Sequence, residues 1–167
     1  VGSIKVLIVS VGVGLAILFL LFAKKIFTAM QIPAEIINSA ALYLQIIAVG
    51  IPFLAIYNFY SALIKARGDS RTPIKCVSLS CVCNILLDYL FIAFFDWGIA
   101  GAAFATVLSQ ALAAVLTVLY LYQNDRSDLE ATPSFKMIFP ILKLSITGIV
   151  QNSASAISMF LIQGIIN

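Results

Sequence analysis

Histidine is absent from this sequence, and charged residues make up only 10% of it. The first absence removes the commonest general base and metal ligand. The second sets the chain far below the roughly 25% of an ordinary soluble domain. Hydrophobic residues fill 62% of the 167 positions, more than a soluble core of this size buries. The solvent is then lipid, and the expected class is an all-α membrane protein, a polytopic transmembrane helix bundle. The apolar runs are continuous rather than alternating, which argues against a membrane β-barrel. Cysteine is scarce, and Cys76, Cys81 and Cys83 share one apolar segment. Their spacing is neither a zinc signature nor a disulfide framework, so they read as small packing residues. No nucleophile–base pair or metal constellation is visible, so neither an enzyme nor a metal centre is expected. The net charge of +3 calls for no nucleic-acid partner.

Five apolar segments are present, at about Ile4–Phe22, Ile36–Ile64, Cys76–Phe95, Ile99–Tyr122 and Phe139–Asn167. About 20 residues in a helix cross the hydrocarbon, and lipid offers the backbone no partner outside the helix. The second segment follows Pro33 and contains Gly50 and Pro52. A proline inside a helix removes one backbone bond and crowds the preceding turn, so a kink is expected there. It reads as a static bend or as a hinge. The most polar stretch, "QNDRSDLEATPSFK", begins at Gln123 and suggests a linker between two bundles. The chain opens on Val1 and closes on Asn167 within an apolar run, which suggests a part of a longer protein.

Positive charge is placed unevenly. Lys5, Lys65, Arg67, Arg71, Lys75, Arg126, Lys136 and Lys143 fall on one side if the helices alternate, against Lys24 and Lys25 on the other. The excess of Lys and Arg marks the cytoplasmic side, so the Lys65–Lys75 loop is expected in the cytoplasm. Trp97, in the short turn Asp96–Gly98, suits an anchor at the opposite interface.

Asp88 is the one charged residue between Cys76 and Phe95. It lies roughly 18 Å along its helix, near the middle of the bilayer. An unpaired charge there costs several kcal/mol, with estimates from ~2.5 upward. It is expected to shed its charge, or to find a cation or hydrogen-bond donors. Asn84 lies one helical turn away on the same face. Counting equally from Trp97 puts Asp88 level with Thr106, and Asn84 level with Gln110. Asn58 and Ser61, beside Tyr57 and Tyr60, are polar at helical spacing. Asn58 reads either as a cavity residue or as a partner for a carbonyl freed by Pro52. Gly98, Gly101, Ala102 and Ala105 form a small-residue stripe suited to close helix packing. A purely structural Asp88, bonded to Asn84 or Thr106 and joining two helices, is the plainer alternative.

"YLQIIAVGIPFLAIYNFYSALIKARGDSRTP", then "NILLDYLF", then "WGIAGAAFATVLSQ" resemble the multidrug and toxin extrusion (MATE) transporters, over nearly the whole chain. The resemblance implies part of a two-lobe, twelve-helix transporter. Residues 1–122 would be four helices of the N-terminal lobe, 123–137 a cytoplasmic inter-lobe linker, and 138–167 the first helix of the C-terminal lobe. It implies a cation site of Asp88, Asn84 and Thr106, and a substrate cavity lined by Asn58, Ser61, Cys81 and Gln110. Thr147 stands where the family usually has proline, four residues before Gln151. The implied function is secondary active antiport, exporting amphipathic or cationic organic compounds against inward protons or sodium ions. No cofactor is implied beyond that coupling ion. The partners would be a small organic substrate and membrane lipid, in a monomer of the plasma (inner) membrane. A lipid-linked saccharide flippase of the same architecture would want basic residues in the cavity, whereas the lysines and arginines here map to helix ends and loops. A structural membrane subunit is the remaining alternative.

The charge distribution carries a direct test. With Cys76, Cys81 and Cys83 replaced by alanine, an impermeant thiol reagent on intact cells should label Trp97→Cys and spare Ser70→Cys. The opposite pattern would invert the topology.

Overall fold

The computed structural model describes residues 2–29 and 33–124. They form four antiparallel helices: α1 (Gly2–Ala29), α2 (Ala34–Ala66), α3 (Arg71–Asp88) and α4 (Gly98–Asn124). A π-helical segment, Tyr89–Phe94, continues α3 without a break in direction. All four are long and apolar enough to cross a membrane, the third counted through Phe94. Each corresponds to one of the first four apolar segments, the third ending one residue short of Phe95. The fifth segment, and the linker from residue 125 onward, lie outside the described residues; Gln123 and Asn124 still belong to α4.

Local chemistry sets the helix ends. Pro33 precedes α2, its carbonyl accepting from Ile36 N–H at 3.1 Å, and Glu35 in the first turn suits the positive end of the helix dipole. The other end closes on Gly68, whose φ of +92° lies in the left-handed region open to glycine. Gly68 N–H donates to Lys65 O and Asp69 N–H to Ile64 O, at 2.9 and 3.3 Å, a paired closure of the last turn. Asp69 then starts α3. Its Oδ1 accepts from Arg71 N–H and Thr72 N–H, both at 3.0 Å, and Pro73 follows in the first turn. Its Oδ2 accepts from the Tyr120 hydroxyl of α4 at 2.9 Å. The Thr72 hydroxyl and N–H, with Tyr120 and Arg71 N–H, hold the Asp69 carboxyl down at about 2, against an ordinary 3.8. The folded value is depressed, so the contribution to stability is complete above the ordinary value and fades as pH falls through about 2. The loop is therefore tied at every physiological pH.

Small residues set the helix–helix distances. A Cβ on Gly12 would meet Ala55 Cβ at 3.3 Å and Pro52 Cα at 3.6 Å, so α1 lies close against α2 at the proline. On another face, a Cβ on Gly50 would collide with the Gln110 amide oxygen. Helix α2 is thus held between α1 and α4 at its Gly50–Pro52 stretch, and it remains helical through Pro52. Gln45 Nε2 adds a polar tie to Leu20 O of α1, at 3.0 Å. A buried cluster of Phe59, Tyr60, Ile64 and Leu121 fills the loop end, with Ile4, Ile8 and Tyr120 against it. On α4 the buried stripe is Gly101, Ala103, Ala105, Ser109, Ala113, Ala114, Thr117 and Leu121. Ala102 is only half-buried. Gly98 is exposed and serves the turn, with φ +52°, rather than the packing stripe.

The α3–α4 register differs from equal counting about Trp97. Phe91, six residues before Trp97, lies against Gly101, four after it. Ser80, seventeen before, donates its hydroxyl to the carbonyl of Ser109, twelve after. The α3 side uses more residues for the same height. The π segment explains the direction of the shift, since its wider turns hold more residues per unit rise. Phe95 N–H reaches Leu90 O and Trp97 N–H reaches Phe91 O, at 3.1 and 2.9 Å. The Trp97 ring stacks on Phe91 with centroids 5.1 Å apart and meets Phe104 at 6.0 Å.

The hairpin's tight end predicts a contrast between two glycines. A Cβ on Gly101 would sit 2.9 Å from Phe91 Cβ and 3.2 Å from its backbone carbon, whereas one on Gly14 meets nothing within 4 Å. Overpacking costs about 1–3 kcal/mol, more than the ~0.5–1 kcal/mol that alanine gains in a helix. Thermal unfolding in detergent should show Gly101→Ala melting several degrees lower and Gly14→Ala unchanged or higher. Equal melting would show that the hairpin is not held by this contact.

Candidate functional site

Helices α2, α3 and α4 line a half-open cavity of about 230 Å³. Leu54 and Tyr57 face it from α2, Cys81 and Asn84 from α3, and Thr106 and Gln110 from α4. The cavity exists because α3 packs chiefly on α4 and little on α2, leaving a seam between α2 and α3. Its walls are mostly apolar, with a few polar groups converging, the usual character of a small-molecule site.

Asn84 Nδ2, Gln110 Oε1 and Asp88 Oδ1 are buried without a hydrogen-bond partner. Buried polar atoms are paired in the great majority of cases, so an orphan is informative. Asn84 and Gln110 both line the cavity, although the Gln110 amide oxygen itself lies against the α2 backbone at Gly50. Asp88 does not line the cavity; it sits one turn beyond Asn84, at the junction of α3 with the π segment.

Thr106 is arranged differently. Its hydroxyl donates to Ala102 O at 2.9 Å, on its own helix. With the proton committed there, the oxygen keeps lone pairs toward the cavity. Ser109 and Thr117 bond Ala105 O and Ala113 O in the same way, both at 2.7 Å, and both are buried. Gln110 is seated by Gly50, where the missing side chain lets the amide lie on the α2 backbone. Sequence reasoning marked Gly50 only as part of a bend. Its pairing with Gln110 depends on the α2–α4 approach, which no local pattern encodes. Ser80 and Ser109 were also missed; the only signal was two serines in apolar helices.

The expected residues do not all meet. Asn84, Thr106, Cys81 and Gln110 share the cavity, and Asp88 adjoins it along α3. Asn58 is exposed on another face of α2, where it lines a groove of about 540 Å³ with Ile4 and Ile8 of α1. Ser61 is 3% exposed and lines neither space.

Comparison with known proteins supplies the family. The MatE family model matches residues 2–90. "Probable multidrug resistance protein YpnP" of Bacillus subtilis is 35% identical over 160 residues, which is 95% of this chain and 36% of that protein. "Probable multidrug resistance protein YoeA" of the same organism is 33% identical over 125 residues, 72% of this chain and 27% of its own. "Probable multidrug resistance protein NorM" of Thermotoga maritima is 30% identical over 129 residues, 73% and 28% respectively. The chain thus spans about a third of the length of the curated relatives it matches. No solved structure matches it. With four membrane-length helices and a family model covering more than half of its residues, the chain is a multi-pass membrane protein of the MatE family.

Proposed function

We propose that the complete protein is a secondary active antiporter of the plasma membrane. It exports amphipathic or cationic organic compounds, and inward movement of protons or sodium ions drives the export. The observation that carries this reading is the buried, unpartnered Asp88 Oδ1, about three-quarters of the way along the membrane-length helix Arg71–Phe94. An ionisable group at such a depth is expensive and functional by default. Asp88 takes up the cation, and Asn84, one turn away, and the Thr106 oxygen complete its surroundings. Cys81 and Gln110 face the organic substrate in the adjoining cavity; Asn58 meets it on the α1–α2 side, and Ser61 backs the wall between them. The relatives' names, which refer to multidrug resistance, support this substrate class.

Coupling requires that ion and substrate prefer different orientations of the protein. A ligand with equal affinity for both orientations shifts nothing, however tightly it binds. The N-terminal lobe includes α1 to α4, which runs on to Asn124, the inter-lobe linker follows to residue 137, and 138–167 start the second lobe. The Lys65–Lys75 loop faces the cytoplasm, and the full-length protein works as a monomer. The cavity lining includes no lysine or arginine, which a flippase of phosphate-linked saccharides would want.

Asp88→Asn in the complete protein tests the proposal. Asparagine keeps the shape and the hydrogen-bonding capacity but cannot change charge. Efflux of a fluorescent cationic dye from energised vesicles should fall to the background of vesicles lacking the transporter. Protein amount and melting should hold or rise slightly, since part of the burial cost is relieved. A helix-joining role gives the reverse: efflux tolerant of asparagine, and folding damaged by Asp88→Leu. Wild-type efflux by the asparagine variant would remove Asp88 from the coupling site.

A further inference from the structure

Helix α3 buries less of itself than its neighbours do. Over its most apolar 18 residues 6% are buried, against 17, 17 and 39% for the other three helices. Its outer face carries a pattern that runs lengthwise. Arg71, Lys75, Ser78, Leu79, Val82 and Leu86 follow one another at helical spacing along one stripe, and all six are exposed. Two cations stand at the loop end and a hydroxyl comes next. Branched apolar side chains follow, with Leu79, Val82 and Leu86 exposed by 52, 54 and 64%. Side chains on a helix lean toward its N-terminus, and a lysine stem reaches further still, so Lys75 can bring its ammonium toward the level of Arg71. Charge, hydroxyl and hydrocarbon succeed one another as headgroup, ester and chain do in a phospholipid.

Two further observations select the occupant. The nearby carboxylate, Asp69, is engaged elsewhere: it accepts from the N–H groups of Arg71 and Thr72 and from the Tyr120 hydroxyl. It also fills the N-terminus of α3, so an arriving anion meets the two cationic side chains rather than the backbone. Arg71 and Lys75 pair with no carboxylate among the described residues. The second observation is the size of the stripe's side chains. Where helices meet in this bundle, glycine admits the approach, at Gly12, Gly50 and Gly101. Leu79, Val82 and Leu86 provide no such seam for a helix and suit acyl chains, which adapt to a rough surface. We propose that Arg71 and Lys75 bind the phosphate of an anionic phospholipid in the loop-side leaflet, with its chains along Leu79, Val82 and Leu86. The guanidinium and the ammonium share the phosphate oxygens, and the Ser78 hydroxyl donates to an ester carbonyl. A zwitterionic headgroup brings its own cation and gains less from the pair.

Tryptophan quenching reads this site. In the complete protein, Leu86→Trp adds a reporter on the stripe, and its emission is the excess over the parent protein. The protein is reconstituted in phosphatidylcholine vesicles containing phosphatidylglycerol, with bromine on the chains of one lipid or the other. Brominated phosphatidylglycerol should quench the reporter beyond its share of the vesicle lipid. Arg71→Gln and Lys75→Gln should each weaken that preference about fivefold, the effect of one cation near the headgroups. Lys24→Gln with Lys25→Gln, at the opposite membrane face, should leave it unchanged. Quenching in simple proportion to lipid content overturns the inference. So does an equal loss in the Lys24 and Lys25 variant, which would mark a general surface charge. Quenching by neither lipid overturns it as well, and shows the stripe covered by another helix or by a second copy. Inorganic phosphate carries the charge without the chains; if it abolishes the preference where chloride of equal ionic strength does not, the pair is a small-anion site and the lipid assignment falls. No ion gradient and no drug is needed, so the antiport reading and this inference fail separately.

Discussion

Hydrocarbon gives a polar atom no partner, and the arrangement of α2, α3 and α4 depends on how each polar side chain meets that condition. Most meet it locally. Thr106, Ser109 and Thr117 return their protons to carbonyls one turn back on α4. Ser80 reaches across to Ser109 O and joins α3 to α4, and Gln45 does the same between α2 and α1. Against that thrift, Asn84, Asp88 and Gln110 each keep a buried atom unpaired. Two of the three belong to residues that line one cavity, and the third lies one turn beyond Asn84 on α3.

The same condition explains why glycine recurs where helices meet the site. Association in lipid relies on close backbone approach, because apolar side chains gain little by leaving one apolar medium for another. Gly12 brings α1 onto α2 at Pro52, Gly50 accepts Gln110 on the opposite side, and Gly101 receives Phe91 beside the Trp97 turn. The proline stretch of α2 is thus contacted from both sides. A change in its bend would move α1 and the Gln110 amide together. That gives the hinge reading of Pro52 a mechanical consequence the static bend lacks: motion in α2 reaches the cavity through one side chain.

Much of this fold was legible from residue order. Continuous apolar runs give the helices, since a period of 3.6 is the only one lipid allows an isolated span. "GDSRTP" reads as an end and a beginning because Gly68 alone tolerates its left-handed backbone and Asp69 alone can serve two N–H groups. The grouping of Asn84, Thr106, Cys81 and Gln110 was likewise approachable, by spacing and by resemblance. The register was not. Equal counting from Trp97 assumes one rise per residue on both arms, and the π segment at Tyr89–Phe94 breaks that assumption. Nothing in "YLFIAF" distinguishes a π turn from an α turn, because the difference lies in which carbonyl each N–H finds. The place of Asn58, in a groove against α1 rather than in the α2–α4 cavity, was not legible for a related reason. Helical spacing links it to Ser61 along α2, but the face of α2 that meets α4 is decided by where Gly50 allows contact.

The two ends of α3 are held by different forces, and the difference bears on how the helix can move. At the loop end the ties are directional hydrogen bonds, donated by Tyr120 to Asp69 and by Tyr57 to Pro73 O, with a carboxylate that stays charged at every physiological pH. Directional bonds are made or broken, so that end has discrete states. At the other end Phe91, Phe95, Trp97 and Phe104 hold the turn by ring contacts, with centroids between 5.1 and 6.2 Å. Such contacts are graded and permit sliding. The π segment lies on that side, and π turns convert to α turns by passing one hydrogen bond to a neighbouring carbonyl. A helix latched at one end and adjustable at the other rotates most freely near its adjustable end. Asp88 sits at that boundary, the last α-helical residue before the winding changes. A change in winding there would turn the carboxyl relative to Asn84 and the cavity while leaving Asp69 and the loop in place.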